Sequence, residues 1–149
     1  MSLRSFSHGY GESNYHLVLV PKYRRRIFKD TYMVESCKKL FQHIADEYGY
    51  NILALEIMCD HVHLFLEVHP TRSVSETFQL FKGVSARELF KRFPSLRRKL
   101  WGGHLWSRGK FFRSVGEVTS ERIEFYIRES QTGGIFSKHP QATLDKYAA

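Results

Sequence analysis

Cysteine, acidic side chains and long apolar runs are all scarce in this sequence. The two cysteines, Cys37 and Cys59, stand far apart and form no CxxC pair. That pattern excludes a disulfide framework, gives no sign of a thiolate zinc site, and fits a reducing, cytoplasmic setting. No apolar run approaches the roughly 20 residues that cross a bilayer, and the first residues lack a continuous apolar stretch of the secretory kind. Neither a membrane span nor a leader is therefore expected. There is no internal repeat and no low-complexity tract. Asp and Glu number 15 against 23 Lys and Arg, a net charge of +8, alongside eight tyrosines and twelve phenylalanines. A basic, aromatic surface is the footprint of a protein that neutralises phosphates and stacks on bases. Proteins that touch no nucleic acid can carry such a charge too, so composition sets a direction and not a mechanism. A chain of 149 residues is expected to form one domain, 1–149, with a core of its own.

Residues 1–13, rich in Ser and Gly, read as a mobile arm, and 132–149 as a flexible tail. Tyr15-His16-Leu17-Val18-Leu19-Val20, closed by Pro21, suits a first strand buried on both faces. Lys22, Arg24, Arg25 and Arg26 follow, as a solvated loop or a phosphate-facing patch; the basic balance of the chain favours the patch. Asp30 is placed to cap a helix whose apolar positions Met33, Cys37, Phe41, Ile44 and Tyr48 recur at helical spacing up to Gly49. Residues 50–58 form a second strand, Asp60 serves a tight turn, and 61–68 form the third, giving a hairpin.

Ser73-Val74-Ser75-Glu76 has the form of a capping box for a second helix that ends before Pro94. Lys82 and Arg87 decorate it, suited equally to a solvated face or to a nucleic-acid groove. Residues 106–115, with Arg108 and Lys110 among aromatics, contain a fourth strand. Thr119 or Ser120 caps a last helix over 120–131, which stops at Gly133-Gly134. The order strand, helix, strand, strand, helix, strand, helix implies an α+β, ferredoxin-like (RRM-like) fold: an antiparallel sheet, helices on one face, and a C-terminal helix.

The third strand carries the most specific signal. Side chains alternate along a strand, so His61 and His63 share a face with Cys59, Phe65 and Glu67, while Val62, Leu64 and Leu66 point the other way. Two imidazoles side by side on a rigid element make half of a metal site. The same pair would also serve as half-buried sheet histidines bonded to their neighbours.

The order of these motifs resembles the single-tyrosine HUH transposases of small bacterial and archaeal insertion sequences, the IS200-like type. The resemblance rests on Tyr15-His16-Leu17-Val18 running into Pro21-Lys22-Tyr23-Arg24-Arg25, on Asp60-His61-Val62-His63-Leu64, on Phe81-Lys82-Gly83-Val84-Ser85, on 106–115 and on Tyr126-Ile127-Arg128. It implies that His61 and His63 hold a divalent cation, Mg2+ or Mn2+, and that Tyr126 is the nucleophile. It further implies cleavage and rejoining of single-stranded DNA at hairpin-bearing element ends through a 5′-phosphotyrosine, by a homodimer. Lys22, Arg24, Arg25, Lys82, Arg87, Arg108 and Lys110 are the expected DNA contacts.

One position departs from the family pattern. A glutamine that serves as third metal ligand stands four residues after the tyrosine in the family; here that position is Ser130, and the glutamine is Gln131. On a regular helix i+4 lies about 40° from Tyr126 and i+5 about 140° away. Either the helix end is irregular and Gln131 still reaches the metal, or Glu129 supplies the oxygen. The residues themselves leave two rivals open: a non-catalytic module that binds single-stranded nucleic acid, and a domesticated HUH nuclease acting on repeated palindromes.

Overall fold

The computed structural model describes residues 3–6 and 9–132. Its first elements, β1 (Arg4–Phe6) and β2 (Gly9–Gly11), pair antiparallel as a two-stranded ladder. The serine- and glycine-rich composition suggests an arm without any element there; backbone pairing needs no apolar side chains and leaves no such signature. The expected tail beyond Thr132 lies outside the described residues.

The main sheet contains β3 (Asn14–Leu19), β4 (Asn51–Ile57), β5 (Val62–Glu67) and β6 (Phe111–Val115), in the order β4-β5-β3-β6 with every pair antiparallel. Helix α1 (Thr31–Tyr48) joins β3 to β4, and α2 (Val74–Arg92) follows β5. This is the ferredoxin-like topology expected from the element order. A short helix α3 (Leu96–Lys99) precedes β6, and α4 (Ser120–Thr132) follows it.

Alternation along the central strands divides the sheet into two faces. Leu17 and Leu19 of β3 and Val62, Leu64 and Leu66 of β5 join Cys37, Phe41 and Ile44 of α1 and Phe78, Phe81 and Leu89 of α2 in one core. Cys37 belongs to that packing, its thiol pushed up to about 12 by burial. His16 and Val18 on β3 and His63 and Phe65 on β5 face the opposite way, and these four are buried.

Local chemistry sets the element ends. The Asp30 carboxylate accepts the Tyr32 N–H at 3.0 Å, and Gly49, at φ 80°, closes α1 in the left-handed conformation that glycine adopts without strain. The expected capping box of α2 is half made. Ser73 Oγ accepts the Glu76 N–H at 2.9 Å, but the Glu76 carboxylate turns to Arg72 at 3.4 Å. An opposite charge one turn away competes with the neutral backbone donor for that carboxylate.

The fourth strand expected within 106–115 occupies the second half of that run, Phe111–Val115. Trp106 makes only an isolated bridge to Pro21, and its indole N–H donates to Ser85 Oγ at 2.8 Å. Residues 107–110 then form a loop, with Lys82 Nζ donating at 2.8 Å to both the Ser107 and Gly109 carbonyls. Among the described residues no helix is long and apolar enough to cross a membrane.

Candidate active site

The histidine pair stands at the start of β5. The turn at Cys59 and Asp60 is closed by the Met58 N–H donating to the His61 carbonyl at 2.8 Å. It leaves His61 and His63 on one face, with ring centroids 4.8 Å apart and planes at 80°. Register then brings a third imidazole alongside: β3 pairs with β5 so that Val18 faces His63 and His16 faces Phe65. His16 Nε2 is 2.9 Å from His63 Nδ1, and the His16 ring lies parallel to that of Phe65, 4.3 Å away and 2° from coplanar orientation.

His61 is oriented from the other side. Its Nδ1 is 2.7 Å from Asp60 Oδ1, and Asp60 Oδ2 is 3.0 Å from Arg24 Nε. Arg24 owes its position to a tight turn in which Tyr23 and Arg24 take φ of 60° and 51°. Both are left-handed values that non-glycine residues adopt only when their surroundings hold them there. Lys22 N–H to Leu105 O and Ser107 N–H to Val20 O, each 2.8 Å, brace the flanks of that turn.

Burial decides the charge of all three rings. His16 is lowered to about 3, first by burial and then by Arg113 and His61. His63 lies well below the ordinary histidine value because of burial, with His61 and His16 adding to it. His61 is lowered by burial although Asp60 pulls it upward. All three are therefore neutral near pH 7, the form in which imidazole binds metals.

The Nε2 atoms of His61 and His63 are buried and have no hydrogen-bond partner among the described residues. Buried polar atoms are nearly always paired, and two adjacent exceptions on one face fit a cation between them. Among the described residues no group of three or more His, Cys, Asp or Glu side chains is placed to hold a metal ion. Gln131 lies on α4, and its side chain is outside the described residues.

Helix α4 lies over this face. The Tyr126 ring is 5.9 Å from His16 and 6.3 Å from Phe65, and Arg113 of β6 sets its Cζ 5.2 Å over the same ring. Arg113 reaches that place because it is the cross-strand partner of His16.

The expected DNA contacts fall in three places. Arg24 and Arg25 line an open cleft of about 570 Å3 with Arg26, Lys29, Arg98 and Lys99, and Lys22 sits beside it over the Tyr23 ring at 5.3 Å. Lys82, Arg108 and Lys110 line a second cavity of about 590 Å3 with Phe78 and Trp106. Burial, assisted by Lys110, lowers Lys82 to about 8. Arg87 is separate: it lines a groove with Lys39, His43 and Glu47 of α1, and its Nε is 3.6 Å from Glu88.

Sequence reasoning passed over His16, Asp60 as a histidine partner, and Arg113. The one available signal was a histidine inside the apolar run of the first strand.

A ferredoxin-like sheet, a neutral histidine pair and a tyrosine-bearing helix are thus combined on one chain. The chain belongs to the IS200-like transposase family, whose pattern it matches over residues 10–130. It is 37% identical over 117 residues to the ISDra2 transposase TnpA of Deinococcus radiodurans, covering 78% of this chain and 82% of that one. It is 31% identical over 125 residues to the transposase for insertion sequence element IS200 of Salmonella typhimurium, covering 84% and 81%. A crystal structure from Deinococcus radiodurans R1, provisionally described as a transposase, matches with a TM-score of 0.71 and 32% identity over 85% of this chain and 97% of that chain. A REP-associated tyrosine transposase bound to a REP hairpin shares the fold, with a TM-score of 0.53 and 12% identity over 89% and 76%.

Proposed function

We propose that the chain is a DNA transposase that cuts and rejoins single-stranded DNA at hairpin-bearing element ends, with Tyr126 as nucleophile and a divalent cation, Mg2+ or Mn2+, held by His61 and His63. The observation that carries this reading is the pair of buried Nε2 atoms without a partner among the described residues, on the sheet face that Tyr126 meets at His16 and Phe65. Leaving a buried acceptor unpaired costs about 1–3 kcal/mol, and one cation would relieve both. Bound there, the ion supplies Lewis acidity, polarising the scissile phosphate and steadying the departing 3′ oxygen.

The side chains do the rest. Tyr126 Oη forms a bond to phosphorus as the bond to the 3′ oxygen breaks; the phenol proton leaves to water, and the 3′ oxygen takes one up. The resulting 5′-phosphotyrosine keeps the ester for transfer to another 3′-hydroxyl, so no ATP is consumed. Arg113, beside the Tyr126 ring, is suited to meet the charge of that phosphate. Gln131 is the preferred third ligand, with Glu129 as the alternative. The cleft from Arg24 to Lys99 suits a single strand that runs to His61, since Arg24 joins the two through Asp60. A homodimer working in the cytoplasm completes the reading, and the fold neighbour solved on a REP hairpin supports the hairpin as ligand.

The test is covalent trapping. The protein is incubated with end-labelled single-stranded hairpin DNA from the flanks of its gene, with Mn2+ or with chelator, and resolved on denaturing gels. A metal-dependent adduct is expected, lost in Tyr126→Phe and in His61→Ala. Tight binding without an adduct overturns the catalytic reading in favour of a binding module.

A further inference from the structure

We infer that His16 is a positioning residue for the metal pair: its Nε2 accepts the Nδ1–H of His63 and so keeps the Nε2 lone pair of His63 directed at the ion. The inference rests on the metal reading above and extends it to a residue outside the ligand set.

The geometry starts from the sheet. His16 sits in the middle of β3, paired on both sides, and is fully buried. Its plane is fixed by the parallel Phe65 ring beneath it. The His16 and His63 ring centroids are 5.1 Å apart with planes at 26°, a separation that the 2.9 Å Nε2–Nδ1 contact allows only when its line runs close to the plane of both rings. That is the geometry of an imidazole hydrogen bond.

With one proton on each ring, two arrangements are open. If His16 donates from Nε2, His63 must carry its own proton on Nε2, where it blocks the ion. If His63 donates from Nδ1, its Nε2 is a bare lone pair and the His16 proton sits on its own buried Nδ1; each arrangement puts one N–H at a buried position, and only the second leaves His63 able to take the ion. His61 is held in the same state by a different partner, because the Asp60 carboxylate can only accept and so takes the Nδ1–H of His61. Both ligands then present Nε2, one set by a carboxylate and the other by an imidazole. Such outer partners fix ligand tautomer and orientation, and losing one typically costs about 10–100-fold in metal affinity.

The test combines a spectrum with a titration. Nitrogen-resolved NMR of the imidazoles in the native, metal-free protein at pH 7 is expected to find the His63 proton on Nδ1; a proton on Nε2 overturns the inference. Calorimetric titration with Mn2+ is expected to show about 10–100-fold weaker binding in His16→Phe, which keeps a flat ring on Phe65 but cannot accept. His16→Gln, whose amide oxygen accepts, is expected to restore affinity to within about threefold of native. Native affinity in His16→Phe, or equal losses in both variants, overturns the positioning role. His61→Ala separates the two claims: if it binds Mn2+ as tightly as the native protein, the metal reading fails, and if only His61→Ala loses the ion, the role of His16 alone is refuted. Should His16→Phe not fold, the native spectrum and His16→Gln still decide.

Discussion

The buried imidazoles make the fold sensitive to mild acid, and His16 gives the effect its size. It is fully buried against Phe65, with His63, His61, Arg113 and Tyr126 facing it, and its value falls from 6.5 to about 3. The unfolded chain takes up this proton near pH 6.5 while the folded chain refuses it to about pH 3. The stability that the neutral ring contributes is therefore complete above pH 6.5 and drains away as the pH falls towards 3. Over the pH 7 to 5 window the loss from His16 is about 2 kcal/mol, the slope being at most about 1.4 kcal/mol per pH unit for one group. His63 and His61 are shifted in the same direction and add to it. Against a total of about 5–15 kcal/mol for an ordinary domain, this is large. Urea unfolding at pH 7, 6 and 5 in chelator reads it, and His16→Phe should flatten the dependence by about 2 kcal/mol across the window. Carboxylates that begin to titrate near pH 5 are common to both proteins and cancel in the difference. Equal pH slopes for the native protein and the variant would refute the reasoning, as would an NMR midpoint for His16 above pH 6.

Two further outcomes follow from the placement of cations. Lys82→Met removes both charge-assisted hydrogen bonds that hold the 107–110 loop and should cost about 2–3 kcal/mol in chemical denaturation, whereas Arg87→Met, on an exposed helical surface beside Glu88, should stay within about 0.5 kcal/mol; similar effects at the two sites would mean that the lysine does not secure the loop. Replacing Arg25, Arg26, Arg98 and Lys99 together by alanine should reduce the salt dependence of single-stranded DNA binding by about 0.7 in log–log slope for each phosphate that is no longer neutralised, and an unchanged slope would exclude their cleft as the strand path.

Much of the framework was legible because it is written locally. Strand alternation separated His61 and His63 from Val62, Leu64 and Leu66, and Asp30, Gly49 and Ser73 act at the helix ends where their chemistry places them. What escaped depends on long-range register. His16 and His63 are 47 positions apart; the expected fold makes β3 and β5 neighbours, but nothing in either segment says which residues face each other. Asp60 was readable as a turn former, but its role between Arg24 and His61 needs the left-handed turn at Tyr23 and Arg24. Lys82 and Arg87 look alike in sequence; five positions apart on a helix, they point about 140° from one another, which is why one braces a loop beside a cavity and the other turns to α1. The Gln131 offset poses the same angular problem.

The two halves of the site are held with different stiffness. His63 belongs to a strand hydrogen-bonded on both sides, to β3 and to β4, so moving it means breaking ladders, and His61 is tied to the same strand through its turn and through Asp60. Tyr126 meets this face through ring contacts with His16 and Phe65 and through the Arg113 cation. Contacts of that kind are worth about 1 kcal/mol each and can be exchanged without unfolding a strand. In the proposed reaction the pair of ligands needs fixed geometry within a fraction of an ångström, whereas a tyrosine that first attacks a phosphate and then delivers the attached 5′ end to a different 3′-hydroxyl needs to be released and docked again. Ligands on a central strand and a nucleophile on a helix that meets it through ring contacts would satisfy both requirements within one small domain.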